Sequence, residues 1–130
     1  MVKMTLDEYQ QLAERTSRFP GTKIAERGDA RGTIRSPSGI TNAGERLLEA
    51  AIGATGEAGE VLERVKKAVF HHHDVDRDKL REELGDVLWY VAEAASVLGL
   101  SLDDVAQTNV AKLQARYPRG FSAAASRERK

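Results

Sequence analysis

The sequence predicts an all-α fold in a single domain. Apolar residues recur at helical intervals over several long segments, and no segment shows the alternation of apolar and polar residues that is typical of a half-buried strand. The chain has 130 residues, which is enough for one domain with a modest core, and its composition does not change along its length. We therefore expect residues 1–130 to form one helical domain.

The first predicted helix covers about residues 5–17. Thr5 and Glu8 have the spacing of a capping box, and the apolar residues that follow recur at helical intervals, at Leu6, Tyr9, Leu12 and Ala13. The next segment, residues 18–41, is rich in glycine and proline and carries scattered basic residues. We interpret it as a long loop that is either a solvated connection or a basic lid or subunit contact.

Three further helices are predicted to form a helical core at residues 42–117. The second helix covers about residues 42–70, and its apolar stripe consists of Leu47, Ala51, Ala54, Val61, Leu62, Val65 and Val69. The third helix covers about residues 76–98, and its stripe consists of Leu80, Leu84, Val87, Leu88, Val91, Ala95 and Leu98.

The fourth predicted helix begins at Ser101, which forms a cap-like pair with Asp104, and it ends near Arg116. Pro118 and a nearby glycine stop it. We expect residues 122–130 to form a flexible polar tail.

Charge and composition exclude several classes of function. Lysine plus arginine and aspartate plus glutamate both number 20, so the net charge predicts neither a nucleic-acid nor a membrane partner. The chain has no cysteine, which excludes disulfides, thiolate metal sites and cysteine nucleophiles. The N-terminus lacks the apolar core of a signal peptide, and no apolar run approaches the roughly 20 residues of a membrane span. We expect a soluble, cytoplasmic protein.

An unusual pattern of glycine and glutamate lies inside the second predicted helix. In the segment ATGEAGEVLERVKK, Gly56 and Gly59 precede Glu57 and Glu60, although a glycine inside a helix costs roughly 1 kcal/mol relative to alanine. Acids three positions apart share one face of a helix and repel each other, so the pattern needs a compensating interaction. A bound cation is one such interaction.

A second acidic pair, Glu83 and Asp86, has the same spacing on the third helix. If the two helices pack antiparallel through their apolar stripes, as a short connection favours, all four carboxylates can face one cleft. The alternative is that each acid is solvated and paired within its own helix, as Glu63 is with Lys67. Glu57 has no basic residue three or four positions away, and this favours the shared cleft.

The residue types in this cleft favour a hard divalent cation. All the candidate ligands are carboxylates, and the Glu-x-x-His arrangement of a di-iron bundle is missing. We therefore predict Mg²⁺ or Mn²⁺ and, because Mg²⁺ commonly links protein carboxylates to phosphates, a nucleotide or another polyphosphate. The consecutive histidines at residues 71–73 do not converge on one ion, and we interpret them as an exposed loop.

Several segments of the sequence resemble one protein family. They are GEAGEV from residue 56, EELGDVLWY from residue 82 and NVAKLQARYPRGF from residue 109. In this order they resemble the MazG-like nucleotide pyrophosphohydrolases of the all-α NTP pyrophosphatase superfamily, particularly the short phage and bacterial members. The opening TLDEYQQLAERT is also similar to those members. The resemblance implies a four-helix MazG-like bundle that assembles as a dimer or a dimer of dimers.

The resemblance further implies hydrolysis of a nucleoside triphosphate to the monophosphate and pyrophosphate. It implies that two or three Mg²⁺ ions, or Mn²⁺ ions, are held by the four catalytic carboxylates, which are Glu57, Glu60, Glu83 and Asp86. Many members of the family have a further glutamate directly before the first ligand, where this chain has Gly56. The general base is therefore left open among the four carboxylates.

The resemblance also implies which residues contact the nucleotide. The phosphate and nucleotide candidates are Lys66, Asn109, Lys112, Arg116 and Tyr117. A solvated polar face is the alternative for the three on the fourth helix, and an interaction with the helix dipole is the alternative for Lys66. The candidates for base contact are Trp89, Gln10 and Arg15. Trp89 lies outside the apolar stripe, where it is either a stacking surface for a base or an interface anchor.

The substrate is less determined than the reaction. A phage-like resemblance suggests control of the deoxynucleotide pool, in the host cytoplasm if a phage encodes the chain, with dGTP as the first candidate and damaged nucleotides as an alternative. Two non-enzymatic alternatives are a metal-stabilised helical interaction module and a regulatory nucleotide-binding protein. We also expect self-association into a homodimer or homotetramer, because the apolar stripes exceed what one short chain can cover.

Overall fold

A computed structural model of the chain describes residues 3–24, 34–36 and 39–128. This part of the chain forms five α-helices, and most of its residues are helical, so the predicted all-α class is confirmed. The helices are α1 (Leu6–Glu14), α2 (Asn42–Phe70), α3 (Arg77–Val97), α4 (Leu102–Arg116) and α5 (Ala123–Arg127). Two short strands, β1 (Arg35–Ser36) and β2 (Gly39–Ile40), pair antiparallel just before α2.

The helix ends follow the predicted caps closely. The capping box is present, because the Glu8 N–H donates to Thr5 Oγ1 over 3.1 Å and the Thr5 N–H donates to Glu8 Oε2 over 2.7 Å. At the start of α4, the Asp104 N–H donates to Ser101 Oγ over 3.3 Å. Gly99 has φ +71° at the end of α3, a conformation that favours glycine.

Two predicted segments differ from the structure. The helix predicted to reach residue 17 ends at Glu14, because Thr16 and Ser17 donate backbone N–H bonds to Ala13 and Glu14 in a tighter turn. The tail predicted to be flexible contains the short helix α5, whose first turn is capped by Ser122 Oγ. Much of the predicted loop at residues 18–41 lies outside the described residues.

Helices α2 and α3 pack along their length as an antiparallel pair. As residue numbers rise on α2, the partners on α3 fall, from the Arg46–Glu93 pair to the Arg64–Glu83 pair. Between them, Gly53 lies against the ring of Tyr90, and a Cβ atom at residue 53 would meet Tyr90 Cε1 at 2.2 Å. A side chain at residue 53 would therefore force the two helices apart.

A small apolar core joins α1, α3 and the start of α4. Its buried members are Ala13, Ala92, Ala95 and Leu102. Partly buried side chains that include Tyr9 and Trp89 pack around it. Trp89 also donates its indole N–H to Thr16 Oγ1 over 2.8 Å, so it fastens the end of α1 to α3.

A buried ionic network lies beside this core, and the sequence analysis did not predict it. The side chain of Arg46 is only 1% exposed, and its Nη2 donates to Glu93 Oε1 over 2.8 Å and to Glu14 Oε2 over 2.5 Å. Arg46 Nη1 also donates to the Thr22 carbonyl over 2.9 Å. Ser17 donates its hydroxyl to Glu93 Oε2 over 2.8 Å. The network thus connects α1, α2, α3 and the segment after α1.

The pKa of Glu14 shows the balance of forces in this network. Burial by itself raises the pKa of this carboxyl, but hydrogen bonds from Arg46 and from the Gly21 N–H, with the positive charge of Arg46, lower it below the usual value. The ionised form of Glu14 is therefore favoured by folding. At pH values above the usual pKa of a glutamate side chain, ionised Glu14 contributes fully to stability. This contribution is lost as the pH falls through the lowered pKa of Glu14.

No single helix in the described ranges is long and apolar enough to cross a membrane. Taken together, α3 and α4 pass the same criteria of length and composition, although the pair is bent by 102°.

Replacing Arg46 tests how strongly the network holds the fold. We expect Arg46→Met to lower the free energy of unfolding by about 3–5 kcal/mol, because it leaves the buried Glu93 carboxylate without its cation. Urea unfolding measures the change. Arg81→Met is the matched control, since the Arg81–Asp78 pair is about four-fifths exposed and its loss should cost less than about 1 kcal/mol. Equal effects of the two substitutions would contradict a dominant role for the buried network.

Candidate active site

Three carboxylates from two helices converge on one cleft. Glu57 of α2 and Glu83 and Asp86 of α3 each offer an oxygen, and these oxygens all lie within 4.8 Å of one another. Glu57 and Glu83 are partly buried, whereas Asp86 is exposed. Glu60, the fourth predicted carboxylate, is exposed on the next turn of α2 and is not part of this group. The structure therefore brings together three of the four predicted ligands.

The glycines around the acids leave open space. A Cβ atom added at Gly56, Gly59 or Gly85 would meet no atom within 4 Å. The close approach between α2 and α3 occurs at Gly53 instead, one turn before Glu57. Within one chain, the glycines beside the carboxylates thus make room next to the cleft and do not bring helices together.

The carboxylates disturb one another electrostatically. Burial raises the pKa of Glu57, and the negative charges of Asp86, Glu83 and Glu60 raise it further, in that order. Burial also raises the pKa of Tyr9 on α1, with a second contribution from the charge of Asp86. The cleft is therefore a region of concentrated negative charge, and the charge of Asp86 also acts on Tyr9.

One of the three carboxylates already has a cationic partner. Arg64, two turns after Glu57 on α2, donates from Nε to Glu83 Oε1 over 2.7 Å, and its Nη2 forms an ion pair with the same oxygen, also over 2.7 Å. The sequence did not predict a place for Arg64 at the site, and it indicated only a position on the apolar face of the first helix for Tyr9. Arg64 is seven positions after Glu57, so a helical wheel could have placed it on the same face, whereas the position of Tyr9 depends on how α1 packs.

The donor set fits a hard divalent cation. Oxygen ligands on opposite sides of a bound Mg²⁺ are about 4.2 Å apart, and on Ca²⁺ about 5 Å, so carboxylates within 4.8 Å of one another can share one ion. All three side chains offer only oxygen. The histidines at residues 71–73 are exposed beyond the end of α2, as the sequence analysis predicted.

The predicted phosphate contacts lie on two helices. Lys66 on α2 forms a 2.7 Å ion pair with Glu63, which also pairs with Lys67 over 3.6 Å. Asn109 and Lys112 are exposed on α4, which packs mainly against α1 and α3. Arg116 at the end of α4 lies over the ring of Tyr117, with 5.9 Å between Cζ and the ring centroid. Within the described residues, these contacts join none of the polar side chains to the carboxylate cleft, and α4 is bent by 102° from α3.

The predicted base contacts have structural partners within the chain. The Gln10 amide donates to Ser96 Oγ over 3.0 Å and to the Leu100 carbonyl over 2.9 Å, and its oxygen accepts the Leu102 N–H over 2.7 Å. Trp89 packs against the core and donates to Thr16. Arg15 is exposed and lines a shallow groove along the outer side of α1. Of the three, Arg15 has the most freedom to meet a ligand.

Comparison with known proteins decides the family. Residues 47–121 match the MazG nucleotide pyrophosphohydrolase domain, and this range contains all three converging carboxylates. The chain belongs to the MazG family. It is also similar to the Gene 37 protein of Mycobacterium phage L5, with 37% identity over 121 residues that cover 90% of this chain and 92% of that protein. No solved structure matches the chain. The MazG resemblance recognised in the sequence is thus confirmed.

The crowding of charge at Glu57 predicts a gain in stability when that charge is removed. We expect Glu57→Gln to raise the unfolding temperature in buffer that contains a chelator, because three neighbouring carboxylates repel an ionised Glu57. Thermal unfolding followed by circular dichroism measures it. Glu82→Gln is the control. Glu82 forms a 2.9 Å ion pair with Lys79, so this substitution should not raise the unfolding temperature. A lower unfolding temperature for Glu57→Gln would contradict the repulsion.

Proposed function

We propose that this MazG protein is a divalent-cation-dependent nucleoside triphosphate pyrophosphohydrolase. The substrate is cleaved between the α and β phosphates, which gives the nucleoside monophosphate and pyrophosphate. The observation that supports the proposal most directly is the convergence of Glu57, Glu83 and Asp86 from two helices within the segment that matches the family.

The carboxylate cleft is the proposed binding site for Mg²⁺ or Mn²⁺. Glu57, Glu83 and Asp86 would hold the cation, and Glu60 on the next turn of α2 would take part where more than one ion binds. When bound, the cation neutralises phosphate charge and lowers the pKa of a water molecule. One of the four carboxylates accepts the proton of the water that attacks the α phosphorus.

The basic and polar residues on α2 and α4 are the proposed phosphate contacts. Lys66 is half-exposed on α2, two to three turns beyond Glu57, where it can neutralise charge on the leaving pyrophosphate. Asn109, Lys112 and Arg116 share the polar face of α4. Because α4 packs mainly against α1 and α3, whereas Glu57 and Lys66 lie on α2, we propose that this face serves the cleft of a second copy. Tyr117 supports Arg116 through ring contact.

The exposed apolar residues of α2 and α3 are the proposed surface for self-association. They are large side chains at helical spacing, and their exposed fractions range from 36% at Leu88 to 67% at Leu62. The set comprises Leu62, Val65, Val69, Leu84, Leu88 and Val91. Monomeric proteins rarely leave such a contiguous stripe in water, so a homodimer or a dimer of dimers would cover it.

For the substrate we propose a deoxynucleoside triphosphate, with dGTP as the first candidate. The similarity to a mycobacteriophage protein supports a role in the deoxynucleotide pool. Gln10 and Trp89 are engaged in hydrogen bonds within the chain, so a base contact by either would require one of those bonds to be exchanged. Arg15 needs no such exchange. Clearance of damaged nucleotides would use the same chemistry on a different base.

Pyrophosphate release tests the proposed reaction. We expect the protein to release pyrophosphate from at least one dNTP in a panel that includes dGTP, with Mg²⁺ present and not with a chelator. Glu57→Gln should lower the rate at least about 100-fold, because it removes an anionic ligand from the cleft. Glu82→Gln, on the exposed side of α3, should retain the rate.

Two outcomes would contradict the proposed reaction. Binding of a dNTP without release of pyrophosphate would indicate a regulatory nucleotide-binding protein. Binding of Mg²⁺ with no response to any dNTP would indicate a metal-stabilised interaction module.

The state of assembly tests the role of the apolar stripe. We expect sedimentation of the wild type to show a dimer or tetramer, and Leu84→Glu to shift the protein towards the monomer, because Leu84 is 58% exposed within the stripe. Met4→Glu is the control, since Met4 is 51% exposed but lies outside α2 and α3. A wild-type monomer would contradict the proposal.

A further inference from the structure

The Arg64–Glu83 ion pair has an uneven geometry that bears on the carboxylate cleft. Both donors, Nε and Nη2, reach the same oxygen of Glu83, Oε1, and each distance is 2.7 Å. A guanidinium and a carboxylate more often form two parallel bonds that engage both oxygens. Within the described residues the second oxygen of Glu83 accepts no hydrogen bond, and one oxygen of Glu83 lies within 4.8 Å of oxygens of Glu57 and Asp86.

Burial shows which side of the pair depends on the other. The Glu83 side chain is 13% exposed, whereas the Arg64 side chain is 38% exposed. A carboxylate that is mostly withdrawn from water needs a hydrogen-bond donor, but a guanidinium with this exposure can be solvated without it. The Glu83 carboxylate therefore depends on this ion pair more than the Arg64 guanidinium does.

The charge of Arg64 also adjusts the cleft to a divalent ion. Glu57, Glu83 and Asp86 carry three negative charges when ionised, and Arg64 reduces the local sum to two. Carboxylates that bind metals are themselves held by outer hydrogen bonds, which fix the direction of the ligand oxygen. Arg64 supplies such bonds from the helix that also carries Glu57.

We propose that Arg64 is a positioning residue, which fixes the Glu83 carboxylate through Oε1 and leaves its second oxygen for the cation shared with Glu57 and Asp86. This inference rests on the proposed metal site. Arg64 makes no contact with the substrate in this scheme, and it acts only through Glu83. The competing scheme is that Arg64 occupies the place of the cation and must leave before the cation binds.

The affinity for Mn²⁺ in the absence of nucleotide separates these schemes. Titrations followed by electron paramagnetic resonance measure the Kd of the full chain as wild type, Arg64→Met, Arg64→Lys and Arg81→Met. We expect Arg64→Met to bind Mn²⁺ about 10–100-fold more weakly than the wild type, because Glu83 loses its outer hydrogen bond and its ion pair. Arg64→Lys keeps the positive charge but lacks the planar pair of donors of a guanidinium. Its affinity for Mn²⁺ should therefore lie between those of the wild type and Arg64→Met.

Arg81→Met is the matched control, because it also removes one guanidinium group from the α2–α3 pair but at a site away from the cleft. Arg81 pairs with Asp78 at the exposed start of α3, and its removal should leave the Mn²⁺ affinity unchanged. Thermal unfolding of each variant in chelator is measured in parallel. If Arg64→Met does not fold, the Arg64→Lys variant still tests whether the two-donor geometry is needed.

Each other outcome overturns the inference in a distinct way. Tighter Mn²⁺ binding by Arg64→Met would show that Arg64 competes with the cation. A lower unfolding temperature with wild-type affinity would show that the ion pair only supports the fold. If the wild-type protein binds no Mn²⁺, both the proposed metal site and this inference are wrong. If the wild type binds Mn²⁺ and Arg64→Met binds it equally well, only the proposed role of Arg64 is wrong.

Discussion

The packing of α2 against α3 determines both the shape and the charge of this molecule. Three carboxylates that repel one another lie within 4.8 Å because the two helices are held at a fixed register. That register is set on one side by the Arg46–Glu93 pair and on the other by the Arg64–Glu83 pair. Between them, Gly53 admits the ring of Tyr90, which allows the helices to approach closely. The folding energy of these contacts offsets the repulsion at the cleft.

The two arginines show how similar ion pairs serve different purposes. Arg46 is 1% exposed and binds two carboxylates and a carbonyl, so its network ties together the first three helices. Arg64 is more exposed and binds a single oxygen of Glu83. The buried network holds the framework, and the more open pair lies at the edge of the proposed metal site, where a carboxylate must remain available to a ligand.

Membership of the MazG family and the geometry of the cleft lead to the same proposed chemistry from separate directions. The family match depends on sequence over residues 47–121, whereas the convergence of carboxylates depends on packing. Two features of the surface bear on the proposed self-association. Large apolar side chains on α2 and α3 are exposed in the single chain, and so are Asn109 and Lys112 on α4. The proposed site shared between copies would account for both features.

The sequence by itself determined α2, α3, α4, the start of α1 and the two acidic pairs, because those depend on periodicity and on residues three or four positions apart. It also indicated oxygen-only metal chemistry at Glu57, Glu60, Glu83 and Asp86. Only the tertiary structure decided that Glu60 lies outside the converging group and that Trp89 and Gln10 fasten α1 to the rest of the chain. The partners in these contacts are far apart in sequence, 19 positions for Arg64–Glu83, 47 for Arg46–Glu93 and 86 for Gln10–Ser96. No local pattern encodes such pairings, because they arise from the angle and register at which whole helices pack.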